Sequence, residues 1–199
     1  MSIELVTDRI ILRELEISDL ENFHFLETDE TILKYYGNYP KRNILETTDL
    51  LNSVIDQYEK FNTGRLAMIH KITNEYMGWC GIKYNEQQRH NYTHYYDLGY
   101  RLKPEFWGKG FATEASKACI QYGFEKLKLN KIHAIVNIEN IQSINVIEKL
   151  GKFTKEKFIE NNCTKNWYSI INEHQGIHDE FENVNFNMLK HKFNIELMQ

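Results

Sequence analysis

At 199 residues, 42% hydrophobic and 26% charged, the chain is large enough for one compact domain with a packed core, which excludes wholesale disorder. Its formal charge of −4 argues against general nucleic-acid binding, which rests on neutralising phosphates. No apolar run approaches the ~20 residues that span a bilayer, and Met-Ser-Ile-Glu-Leu is not the start of a secretory signal, so a cytoplasmic protein with no membrane partner is expected.

Apolar alternation predicts a first strand over residues 3–15, with Ser18 or Asp19 capping the helix that follows. A short helix over 29–36 and a turn at 38–40 come next. Leu50, Leu51, Val54, Ile55 and Tyr58 fall at helical spacing, which predicts a helix over 47–60 starting at Thr47 or Thr48. Strands over 65–71 and 75–84 hinge at Thr73 and Asn74, and the polar residues 85–92 read as a loop. His90 and His94 stand at i and i+4 before the next strand. A solvated loop explains them better than a metal site, which needs more ligands and supporting groups, so no metal is expected.

Tyr96, Leu98, Tyr100 and Leu102 alternate with Tyr95, Asp97, Gly99 and Arg101, giving a central strand that Pro104 ends. Gly99 inside that strand marks a bulge or a close backbone approach. A helix over 112–127 follows, with Ala115, Ala118, Cys119 and Tyr122 on one face. A strand over 131–137, a short helix over 142–150 ended by Gly151, and closing strands over 152–160 and 165–172 joined at Asn161 and Asn162 complete the pattern. Residues 1–173 read as one domain. The tail over 174–199, with Phe181, Phe186 and Phe193 among charges, reads as a docked helix or an oligomer contact, leaving monomer and homodimer both open. Cys80, Cys119 and Cys163 are odd in number and lack C-x-x-C spacing, so they read as free, mostly buried thiols.

The most informative stretch is Tyr100-Arg-Leu-Lys-Pro-Glu-Phe-Trp-Gly-Lys-Gly-Phe-Ala-Thr-Glu-Ala115. Gly108 and Gly110 let the backbone bend and expose N–H groups at a helix N-terminus, where the dipole favours a phosphate. A P-loop needs a glycine five residues before the Gly-Lys pair, but Lys103 stands there. A dinucleotide fingerprint needs a third glycine, but Thr113 stands there. An ordinary glycine turn remains the plain alternative.

Trp107-Gly-Lys-Gly-Phe-Ala112 resembles the pyrophosphate loop of the GCN5-related N-acetyltransferases (GNAT), and the longer stretch resembles their RimJ/RimL-type branch. Residues 7–13 with Ser18-Asp19-Leu20, then Met77-Gly-Trp-Cys-Gly-Ile82, then Asn140 and Ser143 before Gly151, match that branch in order. Trp107 replaces the Gln or Arg of the general family pattern, and Ile147 stands where many relatives place a tyrosine proton donor. Lys152 follows Gly151 where an apolar residue is usual, so a local repacking around Phe153 is expected.

The resemblance implies an α/β fold: a mixed, strongly twisted sheet of about six or seven strands, splayed between the central strand and its parallel neighbour. It implies acetyl-CoA as cosubstrate and a primary amine as acceptor, either a protein N-terminus or a small molecule. Arg101 and Leu102 would meet the pantetheine arm through main-chain groups, with the diphosphate on Trp107, Gly108, Lys109, Gly110, Phe111, Ala112 and Thr113. Asn140 would hold the pantetheine and Ser143 would protonate the leaving sulfur; read from spacing alone, both cap the late helix. Asp97 would hold the water that takes the amine proton, or would make a structural hydrogen bond; Glu86 is the weaker alternative base. Arg101's own side chain reads equally as solvent-facing. A non-catalytic acyl-CoA-binding or sensing module is the competing function.

Overall fold

Thr7 breaks the first expected strand in two. In a computed structural model, which describes residues 2–35 and 41–172, its hydroxyl bonds both the N–H and the carbonyl of Ile10. The result is a hairpin of β1 (Glu4–Val6) and β2 (Ile10–Glu14). A short 3-10 turn leads into α1 (Leu20–Thr28), and α2 (Glu30–Leu33) is capped by Asp29, whose carboxylate accepts from the N–H groups of Thr31 and Ile32.

The next helix, α3 (Ile44–Phe61), begins earlier than the apolar spacing predicts. Asn43 and Glu46 form a reciprocal capping box there, and Ile44 and Leu45 are exposed, so periodicity carries no trace of the first turn. β3 (Arg65–His70) and β4 (Tyr76–Asn85) hinge where expected, with Asn74 at φ 59°. The central strand is β5 (Tyr95–Leu102), followed by α4 (Phe111–Glu125) and β6 (Lys131–Asn137). The late helix α5 (Ile141–Ile147) stops three residues short of its expected end, capped by Glu148, and Gly151 lies beyond it in the turn to the next strand. β7 (Phe153–Glu160) and β8 (Cys163–Ile171) meet through Asn161 and Asn162, both left-handed, and Phe153 packs edge-on to Tyr168. The expected turn at 38–40 and the tail over 174–199 lie outside the described residues.

Among the described residues, eight strands form one sheet in the order β1-β2-β3-β4-β5-β6-β8-β7, one more than the upper expectation because the first strand is a hairpin. β5 and β6 run parallel and are in register only at Asp97 and His133, so the two strands part towards Leu102. The other neighbours are antiparallel. α4 covers one sheet face, its Gly123 pressed against Ile82 and Ile132. α1 and α3 lie across the other, where Leu26 and Glu27 of α1 meet Arg101.

Gly99 makes no bulge. It stands opposite Gly81, and a Cβ there would come within 2.9 Å of the Arg65 guanidinium. The glycine leaves room for a buried charge.

The loop before β5 docks on the sheet, contrary to the solvated loop expected. Tyr92 stacks on buried Trp167 with ring centres 4.7 Å apart, and His90 stacks on Phe158 at 4.8 Å; His94 alone of the pair stays exposed. Beneath Tyr92, Trp167 donates its indole N–H to Nδ1 of His133 at 2.8 Å, which fixes a neutral imidazole. Burial first, then the Lys131 charge, push its pKa down to about 4. The unfolded chain binds this proton near 6.5, so stability is full above that pH and is lost as the pH falls towards 4. The urea midpoint should drop between pH 7.5 and pH 5 by the equivalent of about 2 kcal/mol. Replacing His133 with glutamine should remove most of that drop.

Candidate active site

Where β5 and β6 part, two cavities meet. The first, about 360 Å³, runs from the splay to the mouth of α4. The second, about 350 Å³, lies under α1 and α3 against the opposite sheet face. Tyr35, Tyr100, Arg101, Asn140 and Ser143 border both.

The mouth of α4 is built from backbone. Gly108 at φ 70° and Gly110 at φ 83° hold conformations that side-chain-bearing residues resist. A Cβ on Gly108 would meet nothing within 4 Å, so the loop faces open space. The first bond into α4 runs from Glu114 N–H to the Gly110 carbonyl, which leaves the N–H groups of Phe111, Ala112 and Thr113 ahead of the helical ladder. These donors and the positive helix end suit a diphosphate. The glycine cradle and the cavity in front of it therefore fit the CoA moiety implied by the sequence.

Two braces hold the loop, and neither is visible as a local pattern. Trp107 donates its indole N–H to the Leu102 carbonyl at 2.8 Å, tying the loop to the end of β5. That bond gives tryptophan a reason to stand where the general family pattern has Gln or Arg. Arg9 reaches across from the β1–β2 turn, donating to the Lys109 carbonyl at 3.0 Å, pairing with Glu114 at 2.6 Å and lying 4.3 Å over the Phe111 ring. Burial pushes the Glu114 carboxyl up, but bonds from Thr7 and Arg9 outweigh it and hold it below the usual carboxylate range.

Most of the expected cofactor residues converge. Arg101, Leu102, Trp107, Gly108, Gly110, Phe111, Ala112, Thr113, Asn140 and Ser143 line the first cavity. Lys109 does not; it is exposed, and its carbonyl is held by Arg9. Arg101 is not solvent-facing: its side chain is buried, paired with Glu27 and bonded to the Leu26 carbonyl. Asn140 caps α5 by accepting the Ser143 N–H at 3.0 Å, and the Ser143 hydroxyl has no partner among the described residues.

Asp97 stands in the second cavity, away from the first. Its Oδ2 takes the Arg65 guanidinium at 2.6 Å and its Oδ1 the Asn85 amide at 2.5 Å. Burial raises its pKa, but Arg65, then Asn85 and Lys83, bring it below the usual carboxylate value. Glu86 is exposed and borders neither cavity. Among the described residues no cluster of His, Cys, Asp and Glu is arranged to hold a metal, and no helix is long and apolar enough to cross a membrane. Cys80 and Cys119 are buried thiols with sulfurs 3.8 Å apart, and Cys163 is half-buried.

The acetyltransferase (GNAT) domain model matches residues 9–152. The chain belongs to the GNAT acetyltransferase family. It is accordingly an acyltransferase, and its splayed eight-stranded sheet is the GNAT fold. The uncharacterized N-acetyltransferase p20 of Bacillus licheniformis is 34% identical over 152 residues, 76% of this chain and 83% of that one. A spermidine N(1)-acetyltransferase of Escherichia coli is 32% identical over 142 residues, 70% of each chain. Among solved structures, a spermidine N-acetyltransferase from Vibrio cholerae in complex with CoA and spermine matches with a TM-score of 0.67 at 24% identity. That match covers 83% of this chain and 96% of that one.

Proposed function

We propose that this GNAT enzyme moves an acetyl group from acetyl-CoA to a primary amine by direct attack in a ternary complex. The observation that carries the reading is the pair of cavities joined at the splay. One lies in front of the free N–H groups at the mouth of α4, and the other is bordered by the same Asn140 and Ser143. Acetyl-CoA supplies an activated thioester, and the chain's residues supply position and protons. The N–H groups of residues 108–113 hold the diphosphate, and the Asn140 side chain steadies the pantetheine. The Leu102 N–H, at the parted edge of β5, polarises the thioester carbonyl as an oxyanion donor.

The amine nitrogen bonds to the carbonyl carbon as the C–S bond breaks. The sulfur takes a proton from Ser143, which regains one from solvent, and the amine gives one up to solvent, so no net proton is left on the enzyme. An α-amine titrates near ~8, so a useful fraction is neutral without a strong base. Asp97 acts through Arg65 in this reading, since both its oxygens are engaged. Holding both reactants at the splay supplies much of the rate by orientation.

Thermal melts with acetyl-CoA, CoA and ATP in parallel test the ligand class, because a ligand that binds only the native state must raise its stability. Both CoA compounds should raise the Tm and ATP should not; no shift with either CoA compound would end the proposal. Ser143→Ala should lower kcat about a hundredfold, the scale of one proton-transfer group, while the acetyl-CoA shift stays. Unchanged turnover would leave Ser143 as part of the α5 cap alone.

A further inference from the structure

Strand alternation places charge under the second cavity. Across β4 and β5 the register sets Lys83 opposite Asp97, Gly81 opposite Gly99 and Trp79 opposite Arg101, while Arg65 of β3 stands opposite Gly81. Directly opposed residues share a sheet face. Arg89 from the following loop and Lys165 from β8 complete five cations on the wall, against the carboxylates of Glu27, Asp97 and Glu160.

Each of those carboxylates is already engaged. Asp97 pairs with Arg65 at 2.6 Å, Glu160 with both Arg89 at 2.6 Å and Lys165 at 2.7 Å, and Glu27 with Arg101 and Arg42. The half-buried Lys83 ammonium, by contrast, has no hydrogen bond or ion pair among the described residues. Both oxygens of its cross-strand neighbour Asp97 are taken. Four residues back along β4 on the same face, the buried indole N–H of Trp79 also lacks an acceptor among the described residues, and its ring lies 5.3 Å from the Arg65 guanidinium and 5.6 Å from that of Arg101.

An unpaired cation on a wall of net positive charge is the complement of an anion. A polyamine would bring further positive charge to a wall on which, among the described residues, no carboxylate is free to receive it. We propose that the acceptor is a small primary amine that also carries a carboxylate, an amino acid or a compound built like one, anchored at Lys83. The inference rests on the acetyl-transfer reading above. The same positive wall disfavours an incoming ammonium and so helps to keep the attacking amine neutral; burial and Arg65 lower the pKa of Lys83 itself.

The test is a panel of matched pairs: lysine with cadaverine, ornithine with putrescine, phenylalanine with phenethylamine, and spermidine alone. Thiol release from acetyl-CoA is read for the full chain and for Lys83→Gln and Lys83→Arg. The carboxylate-bearing member of each turned-over pair should show at least a tenfold higher kcat/KM. Lys83→Gln should bring that ratio close to one, and Lys83→Arg should largely keep it, with the acetyl-CoA melting shift reporting that each variant is folded. Cadaverine, putrescine or spermidine turned over as well as the amino acids would overturn the carboxylate anchor and leave acetyl transfer standing. No thiol release from any amine, with the acetyl-CoA shift intact, would overturn acetyl transfer and this inference with it.

Discussion

Gly108→Val is expected to weaken acetyl-CoA binding by about a hundredfold, close to 2.7 kcal/mol, while the protein still folds. Two effects act together. At φ 70° a β-branched side chain is strained, so the loop turns its N–H groups away from the cavity. The new Cβ and its methyls also enter space that no atom fills within 4 Å, directly in front of α4. Each hydrogen bond to a charged phosphate contributes about 1.5–3 kcal/mol, so losing one or two accounts for the effect. Gly108→Ala should lose less. Titration calorimetry with acetyl-CoA and CoA reads both variants, and wild-type affinity in Gly108→Val would remove the diphosphate from this loop.

Asp97→Ala should cost stability first: about 3–5 kcal/mol, the usual result of leaving one partner of a buried pair uncompensated. For a domain of this size that is a Tm loss of about 6–20 °C. Arg65 is the reason. Its guanidinium fills the space left by Gly99 and bonds the Gly81 carbonyl, the Asp97 carbonyl and the Asp97 carboxylate. Removing the carboxylate strands a cation between two strands and the Trp79 ring.

The sign of the pH effect follows from the depressed carboxyl. Its stabilisation is present above the ordinary aspartate pKa of ~3.9 and is lost as the pH falls through the lower folded value. Asp97→Asn separates positioning from proton transfer. A positioning residue loses Tm and shifts KM with it; a general base would lose kcat in the asparagine variant while the melt stayed near wild type. The latter result would assign Asp97 to the chemistry.

The legible part of this protein is what neighbouring residues write together. Gly108, Gly110 and the helix behind them are contiguous, so their anion-binding geometry is readable from the letters. Asn140 and Ser143 sit three apart at a helix start and are readable for the same reason. Arg9 is a hundred residues from the Lys109 carbonyl that it holds, and only its place in the segment 7–13 hinted at a role. The hairpin at Thr7 shows in the letters only as a polar break, Thr7-Asp8-Arg9, in the apolar pattern, because the turn is made by a side-chain hydroxyl and not by glycine or proline. The ionic wall of the second cavity had no local signal at all. Lys83 and Arg65 look like ordinary strand positions, and Asp97 is singled out by the family resemblance alone, until the register sets the three side by side.

A crystal structure grown with saturating CoA tests the central claim most directly. The diphosphate oxygens should lie about 2.7–3.2 Å from the N–H groups of residues 108–113, with the pantetheine running between β5 and β6 towards Ser143. CoA bound elsewhere, or a helix mouth closed by side chains with CoA in excess, would contradict it.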